Sequence, residues 1–263
     1  MKVAVVGLGL IGGSFEKASL RAGHEVVTLH HGDTTGFEDA DLILVCLPPE
    51  AVVPWIATNA PRFRRGTVVV DIAGVKRSIL EAFAATFPTP PTDWTFVGGH
   101  PMAGREVSGY ANSLATLFDG ASMILVPVDA APLPSSLSAY FRSVGFARVV
   151  VTTAEHHDEM IAFTSQLCHV IATAYSRDGL VPETPGYSAG SYADMTRIAT
   201  QDPAVWSELF RSNKDSLLAV VDRFIGRMAE FRKALAAEDK STMVKVITEG
   251  ADAKRRELCL ART

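Results

Sequence analysis

The chain has 263 residues, of which 48% are hydrophobic and 21% charged, with a formal net charge of −4. That length can bury two modest cores, and the slight acidic balance leaves no footprint for nucleic acid or an anionic membrane. Apolar runs such as 42–47 are strand-sized, far short of the roughly 20 residues a membrane span needs.

The three cysteines, Cys46, Cys168 and Cys259, are widely spaced and form no CxxC pair. This fits a reducing compartment and argues against a disulfide framework or a thiolate metal site. The first residues already read as a strand, with no charged-then-apolar leader, so a cytoplasmic protein is expected.

The first half alternates β-branched runs with helical segments. Residues 2–6 read as a strand, 11–21 as a helix and 25–29 as a second strand. Only a few residues separate that strand from the next, near 42, so the helix usual between them is expected to shrink to a turn at 36–40. The continuous apolar run 42–47 suits a strand buried on both faces of a parallel sheet. Further strands are expected at 67–72, 95–97, 122–128 and 147–152, with helices around 51–59, 75–87 and 133–144. This alternation predicts a parallel, doubly wound sheet.

After residue 153 the strand-like runs stop. Met160, Ile161, Phe163, Leu167, Val170, Ile171 and Ala174 recur at helical spacing, predicting one long helix over 154–177. A Pro-, Gly- and Ser-rich loop at 179–190 follows, then helical patterns from 191, over 217–237 and over 240–260. The architecture predicted is an α/β fold: an N-terminal Rossmann-like doubly wound sheet, residues 1–152, then an all-α domain, 153–263. So apolar a helical half is expected to bury surface against a second copy, giving a homodimer.

Gly7-Leu8-Gly9-Leu10-Ile11-Gly12 follows the first strand and opens the first helix. In such a motif the first glycine makes the tight turn, the second lets the backbone approach a pyrophosphate, and the third allows close helix–strand packing. The helix N-terminus then offers its N–H groups to the phosphates. These six residues are the expected dinucleotide cradle. At the end of the second strand, where NAD-preferring sites usually carry an acid, the sequence reads Thr28-Leu29-His30-His31-Gly32-Asp33-Thr34-Thr35. Imidazoles tolerate a 2′-phosphate that a carboxylate would repel, and the hydroxyls could meet it. His30, His31 and Thr35 therefore favour NADP over NAD, with Asp33 as the alternative, displaced acid.

A second motif covers residues 98–109, Gly98-Gly99-His100-Pro101-Met102-Ala103-Gly104-Arg105-Glu106-Val107-Ser108-Gly109. The paired glycines are expected to let the backbone approach a ligand. Pro101 biases His100 toward an extended conformation, and a stiffly held histidine beside a cofactor cleft can take a proton near neutral pH.

With these motifs in order, the chain resembles the prephenate/arogenate dehydrogenase family of tyrosine biosynthesis. The resemblance is carried by residues 7–12, 70–76 (Val-Asp-Ile-Ala-Gly-Val-Lys), 98–109, 155–158 (Glu-His-His-Asp), 165–169 (Ser-Gln-Leu-Cys-His), 194–199 (Asp-Met-Thr-Arg-Ile-Ala), Asp202-Pro203 and Trp206. It implies an NAD(P)-linked oxidative decarboxylation of prephenate or arogenate, without a metal. Hydride leaves the ring carbon bearing the hydroxyl, the ring carboxylate departs as carbon dioxide, and aromatisation drives the step. His100 matches the family's catalytic base, Arg197 its carboxylate-binding arginine, and Ser165 and His169 its substrate-contacting segment. His157 is expected to serve a structural, capping or interdomain role, and Asp71 and Lys76 to line the nicotinamide pocket.

The sequence departs from the family pattern at Gly74, where a serine is frequent, and at Gln166 and Cys168, where histidine and proline are common. The Ser-Gln opening tilts the reading toward arogenate. A 4-amino-4-deoxyprephenate dehydrogenase, or a nucleotide-binding regulatory homologue without turnover, are the alternatives. A β-hydroxyacid dehydrogenase or imine reductase would lack the His-Pro-Met-Ala-Gly segment.

Overall fold

The computed structural model describes residues 1–30, 32–105, 107–128 and 133–260. The strands are β1 (Lys2–Val6), β2 (Glu25–Leu29), β3 (Leu42–Val45), β4 (Val68–Asp71), β5 (Thr95–Pro101), β6 (Ser122–Pro127) and β7 (Arg148–Val151). They form one sheet in the order β2-β1-β3-β4-β5-β6-β7. Helices α1 (Leu10–Arg21), α2 (Pro49–Asn59), α3 (Arg77–Thr86) and α4 (Ser135–Ser143) alternate with the strands.

Side-chain alternation divides the core in two. Val3, Val5, Leu42, Leu44, Val68 and Val70 face one side, against Phe15 of α1 and Leu137 and Phe141 of α4. Ala4, Val6, Ile43, Val45 and Val69 face the other, against Val52 and Ile56 of α2 and Ile79 and Phe83 of α3. Strands with both faces covered need apolar residues on both, hence the apolar runs 42–45 in β3 and 68–70 in β4.

The sheet is parallel from β2 through β5, but β6 runs antiparallel to β5 and only β7 returns parallel to β6. The parallel, doubly wound sheet expected from the sequence is present, with one departure, the antiparallel pairing of β6 with β5. Among its described residues the β5–β6 connection contains one short 3-10 turn, Tyr110–Asn112, and no crossover helix, which a parallel neighbour would need. Among the described residues between β2 and β3 no helix forms, as the short spacing implies; a turn closed by the Ala40 N–H on the Phe37 carbonyl stands there.

Beyond β7 the chain is helical: α5 (Ala154–Ile161), α6 (Leu167–Tyr175), α7 (Gly190–Thr196), α8 (Pro203–Ser212), α9 (Lys214–Ala236) and α10 (Lys240–Leu260). The single helix expected over 154–177 is interrupted by a π turn, Ala162–Gln166, between α5 and α6. Thr153 caps α5 by accepting from the His156 N–H, and Asp202 caps α8 by accepting from the Ala204 and Val205 N–H groups. Two compact units result, Met1–Lys214 and a second that begins at Asp215. The first holds the sheet together with α5–α8; the change at 152/153 marks where strands end.

In the second unit, α9 keeps Leu218, Ile225, Met228 and Leu235 about half exposed. Their spacing of seven, three and seven places them on one face of the helix.

Candidate active site

Parallel strands deliver their C-terminal ends to one edge of the sheet, and β1 and β3 are the neighbours from which successive connections run in opposite directions. Such a switch point opens a crevice, and the Gly7–Gly12 turn lies in it. Gly7 has φ +88°, and a Cβ there would stand 2.7 Å from the Cys46 carbonyl oxygen. A Cβ on Gly12 would meet the Gly7 carbonyl oxygen at 1.9 Å, so α1 packs on the turn only because Gly12 has none. At Gly9 a Cβ would meet nothing within 4 Å: the backbone faces open space there. Gly9 is also the N-cap of α1 and supplies no side-chain cap. This bare, glycine-lined helix start fits a pyrophosphate, with Leu8, Leu10 and Ile11 completing the turn.

His30 follows β2 and is exposed, and its N–H donates to Asp33 Oδ2 at 2.8 Å. The Asp33 carboxylate thus closes its own turn. Thr35 is exposed nearby along the chain, whereas His31 lies outside the described residues.

A cavity of about 710 Å³ opens at the end of β5. Its wall includes Gly74, His100, Arg105, Ser165, His169 and Trp206. His100 comes from β5, Gly74 from the turn after β4, Ser165 from the π turn and His169 from α6. His169 stacks on Trp206 with ring centroids 3.5 Å apart. Arg197 is exposed and begins a 3-10 turn, Arg197–Thr200, whose Ile198 and Thr200 line the cavity. Arg105 lines the cavity directly and donates to the Asn112 carbonyl at 3.3 Å; sequence reasoning did not single it out.

The paired glycines act differently from expectation. Gly98 and Gly99 are buried within β5. A Cβ on Gly98 would stand 2.8 Å from Lys76 Cδ, and one on Gly99 would stand 2.6 Å from the Asp71 carbonyl oxygen. They make room for neighbouring protein rather than for a ligand. Lys76 and Asp71 do not line a pocket either: both side chains are 0% exposed and ion-paired with each other. Burial pulls the Lys76 ammonium down from its ordinary pKa and pushes the Asp71 carboxyl up, each opposed by its partner's charge.

His157, which the sequence assigned to a capping or structural role, is buried against the site. Its Nε2 lies 2.9 Å from His100 Nδ1 and its Nδ1 lies 2.7 Å from Asp158 Oδ1. Asp158 accepts from the backbone N–H groups of Lys76 and Arg77, each at 2.9 Å, and so caps α3, whose N-cap Lys76 offers no side-chain bond. Burial, then the nearby His157 and Lys76, hold the His100 imidazole well below the ordinary histidine pKa.

A glycine-cradled dinucleotide crevice beside a cavity with a neutral imidazole in its wall defines a dinucleotide-dependent oxidoreductase. The family follows from sequence profiles: the prephenate dehydrogenase nucleotide-binding domain matches residues 7–144 and the prephenate dehydrogenase dimerization domain matches residues 153–249. The chain belongs to the prephenate dehydrogenase family, and the first matched region is the family's nucleotide-binding domain. A cyclohexadienyl dehydrogenase of Zymomonas mobilis is 32% identical, covering 96% of this chain and 94% of the relative. The prephenate dehydrogenase of Bacillus subtilis is 24% identical, covering 95% of this chain and 74% of its own length. The fold is shared with Synechocystis arogenate dehydrogenase, at TM-score 0.80 and 21% identity, covering 98% of this chain and 100% of that one. No helix among the described residues is long and apolar enough to cross a membrane.

Proposed function

We propose that the protein oxidatively decarboxylates a cyclohexadienol, arogenate to tyrosine or prephenate to 4-hydroxyphenylpyruvate, with His100 as the base. The observation that carries this reading is the position of His100: its ring is in the cavity wall, with Nε2 3.8 Å from where a Gly74 Cβ would stand. A neutral imidazole there can accept the proton of a ring hydroxyl. When bound, the nicotinamide supplies the hydride acceptor. Ser165 and His169, on the same wall, orient the ring, and Arg197 holds a carboxylate with its planar fork. The names of the relatives, cyclohexadienyl, prephenate and arogenate dehydrogenase, support the substrate class.

NADP is the cofactor favoured, on the reading that the exposed His30 and Thr35 after β2 accept the 2′-phosphate while the Asp33 carboxylate is engaged by the His30 N–H. No metal is needed for this chemistry, and the described residues contain no group of ligands suited to one. Where the family pattern often has a serine, Gly74 leaves the proton handling to His100 and its partners. We assign a homodimer to the helical region, since the half-exposed apolar face of α9 lies within the matched dimerization domain; the mass in solution reads this directly. The setting proposed is cytoplasmic, with no nucleic-acid or membrane partner.

Replacing Arg197 by alanine is expected to raise KM for substrate roughly tenfold or more, with kcat little changed, because a ground-state carboxylate contact is lost. Steady-state kinetics checks this. An unchanged KM would move the carboxylate to another cation, with Arg105 in the cavity wall next in line.

A further inference from the structure

His100 carries its proton-accepting role only in one of its two neutral tautomers, the one with the lone pair on Nε2. We propose that His157 and Asp158 are positioning residues that select this tautomer, as a buried relay running from the N-terminus of α3 to the cavity. The inference rests on the reading of His100 as the base.

The relay follows from who can donate. Asp158 accepts from two backbone N–H groups, Lys76 at Oδ1 and Arg77 at Oδ2, at the first turn of α3. Both carboxylate oxygens of Asp158 are thus acceptors of backbone N–H groups. An ionised carboxylate only accepts, so the proton between Asp158 Oδ1 and His157 Nδ1 belongs to the histidine. With its ring proton on Nδ1, His157 presents a lone pair at Nε2, and His100 Nδ1, 2.9 Å away, is the donor. That leaves the free lone pair of His100 on Nε2, the atom nearest Gly74 and the cavity.

Two features make the arrangement stiff. His157 and Asp158 are each only 1% exposed, so water cannot substitute for either. Asn213 Nδ2 donates to the Asp158 carbonyl and to Gln166 Oε1, both at 2.9 Å. This ties the relay to the π turn that carries Ser165. Gln166, which replaces the family's histidine, thus belongs to the scaffold of the relay. The sequence places His157 and His100 57 residues apart, and only the fold joins them.

During turnover the O–H bond of the substrate hydroxyl breaks and its proton passes to His100 Nε2. The Nδ1 proton stays in the bond to His157, and the positive charge so created faces the Asp158 carboxylate through that ring. Aromatisation leaves the ring oxygen as a phenolate, and Nε2 returns the proton to it, so that the product departs as the phenol and His100 is again neutral.

Two measurements test the relay. The first uses the native protein with 15N-labelled histidine, and assigns the His100 signals by their loss in His100→Asn. The expected result is a proton on Nδ1 and none on Nε2 of neutral His100; a proton on Nε2 overturns the proposal. The second compares His157→Leu, which removes the acceptor, with His157→Gln, whose amide oxygen can still accept from Nδ1. His157→Leu is expected to lower kcat on the order of 10²-fold, with dinucleotide affinity and substrate KM unchanged, and His157→Gln to recover most of it. Equal damage in both variants would make the role merely structural, and native kcat in His157→Leu would remove it. Because His100→Asn is assayed alongside, failure of the base itself shows separately, as normal turnover in that variant.

Discussion

Replacing His100 by asparagine is expected to lower kcat by roughly 10²–10⁴-fold, the scale on which a positioned general base acts. Asparagine fills the site and can hydrogen-bond, but it cannot take up a proton. Dinucleotide affinity should be unchanged, because the glycine turn follows β1 while His100 ends β5. The pH profile makes the test sharper. Burial, His157 and Lys76 hold the imidazole well below the ordinary histidine range, so the base is already neutral at physiological pH. In the native protein kcat/KM should stay level as pH falls to about 6.5 and decline only in more acidic solution. In the asparagine variant that acid limb should vanish. Normal turnover, or an unchanged acid limb, would take His100 out of the reaction.

The second large effect concerns stability. Lys76→Met is expected to destabilise the protein by about 3–5 kcal/mol, read from chemical denaturation, because it breaks a fully buried ion pair. Methionine preserves the stem that lies over Gly98, so packing loss contributes little. The Asp71 carboxylate would keep the Ala73 N–H at 3.0 Å and the Gly99 N–H but would lose the buried Lys76 ammonium. The sign with pH follows. Burial already raises the Asp71 pKa in the folded state, and removing the ammonium raises it further. A group whose folded pKa exceeds its unfolded value stabilises most below the unfolded value and loses that stabilisation as pH rises through the folded one. The deficit should therefore be larger at about pH 8 than at about pH 4. A small deficit, equal at both, would mean that the buried pair is not ionised.

Some of this was legible in the residues and some was not, for physical reasons. The glycine turn could be read because its spacing encodes a local geometry, and the structure adds which atoms forbid a Cβ at Gly7 and Gly12. Strand positions could be read, but the reversal of β6 could not: an apolar run has no direction, and direction is set by whether a helix intervenes. Gly98 and Gly99 invited a ligand-approach reading because sequence shows a missing Cβ without showing what occupies its space. Lys76 and Asp71 looked like pocket residues because charges are normally solvated; their mutual burial depends on two elements meeting. The π turn at 162–166 has no periodic signature over so short a span, and it carries Ser165 toward the same wall as His169. The contact of His157 with His100 was hidden for the same reason as the ion pair: that partner arrives from β5, not from its own helix.

The central claim is turnover itself. The measurement that tests it most directly follows reduced cofactor and carbon dioxide with the native protein, given prephenate or arogenate, each with NADP and with NAD. The expected result is stoichiometric formation of both products with at least one of the two dienes, and a lower Michaelis constant for NADP than for NAD. Binding of the dinucleotide with no reduction by either compound would contradict the account.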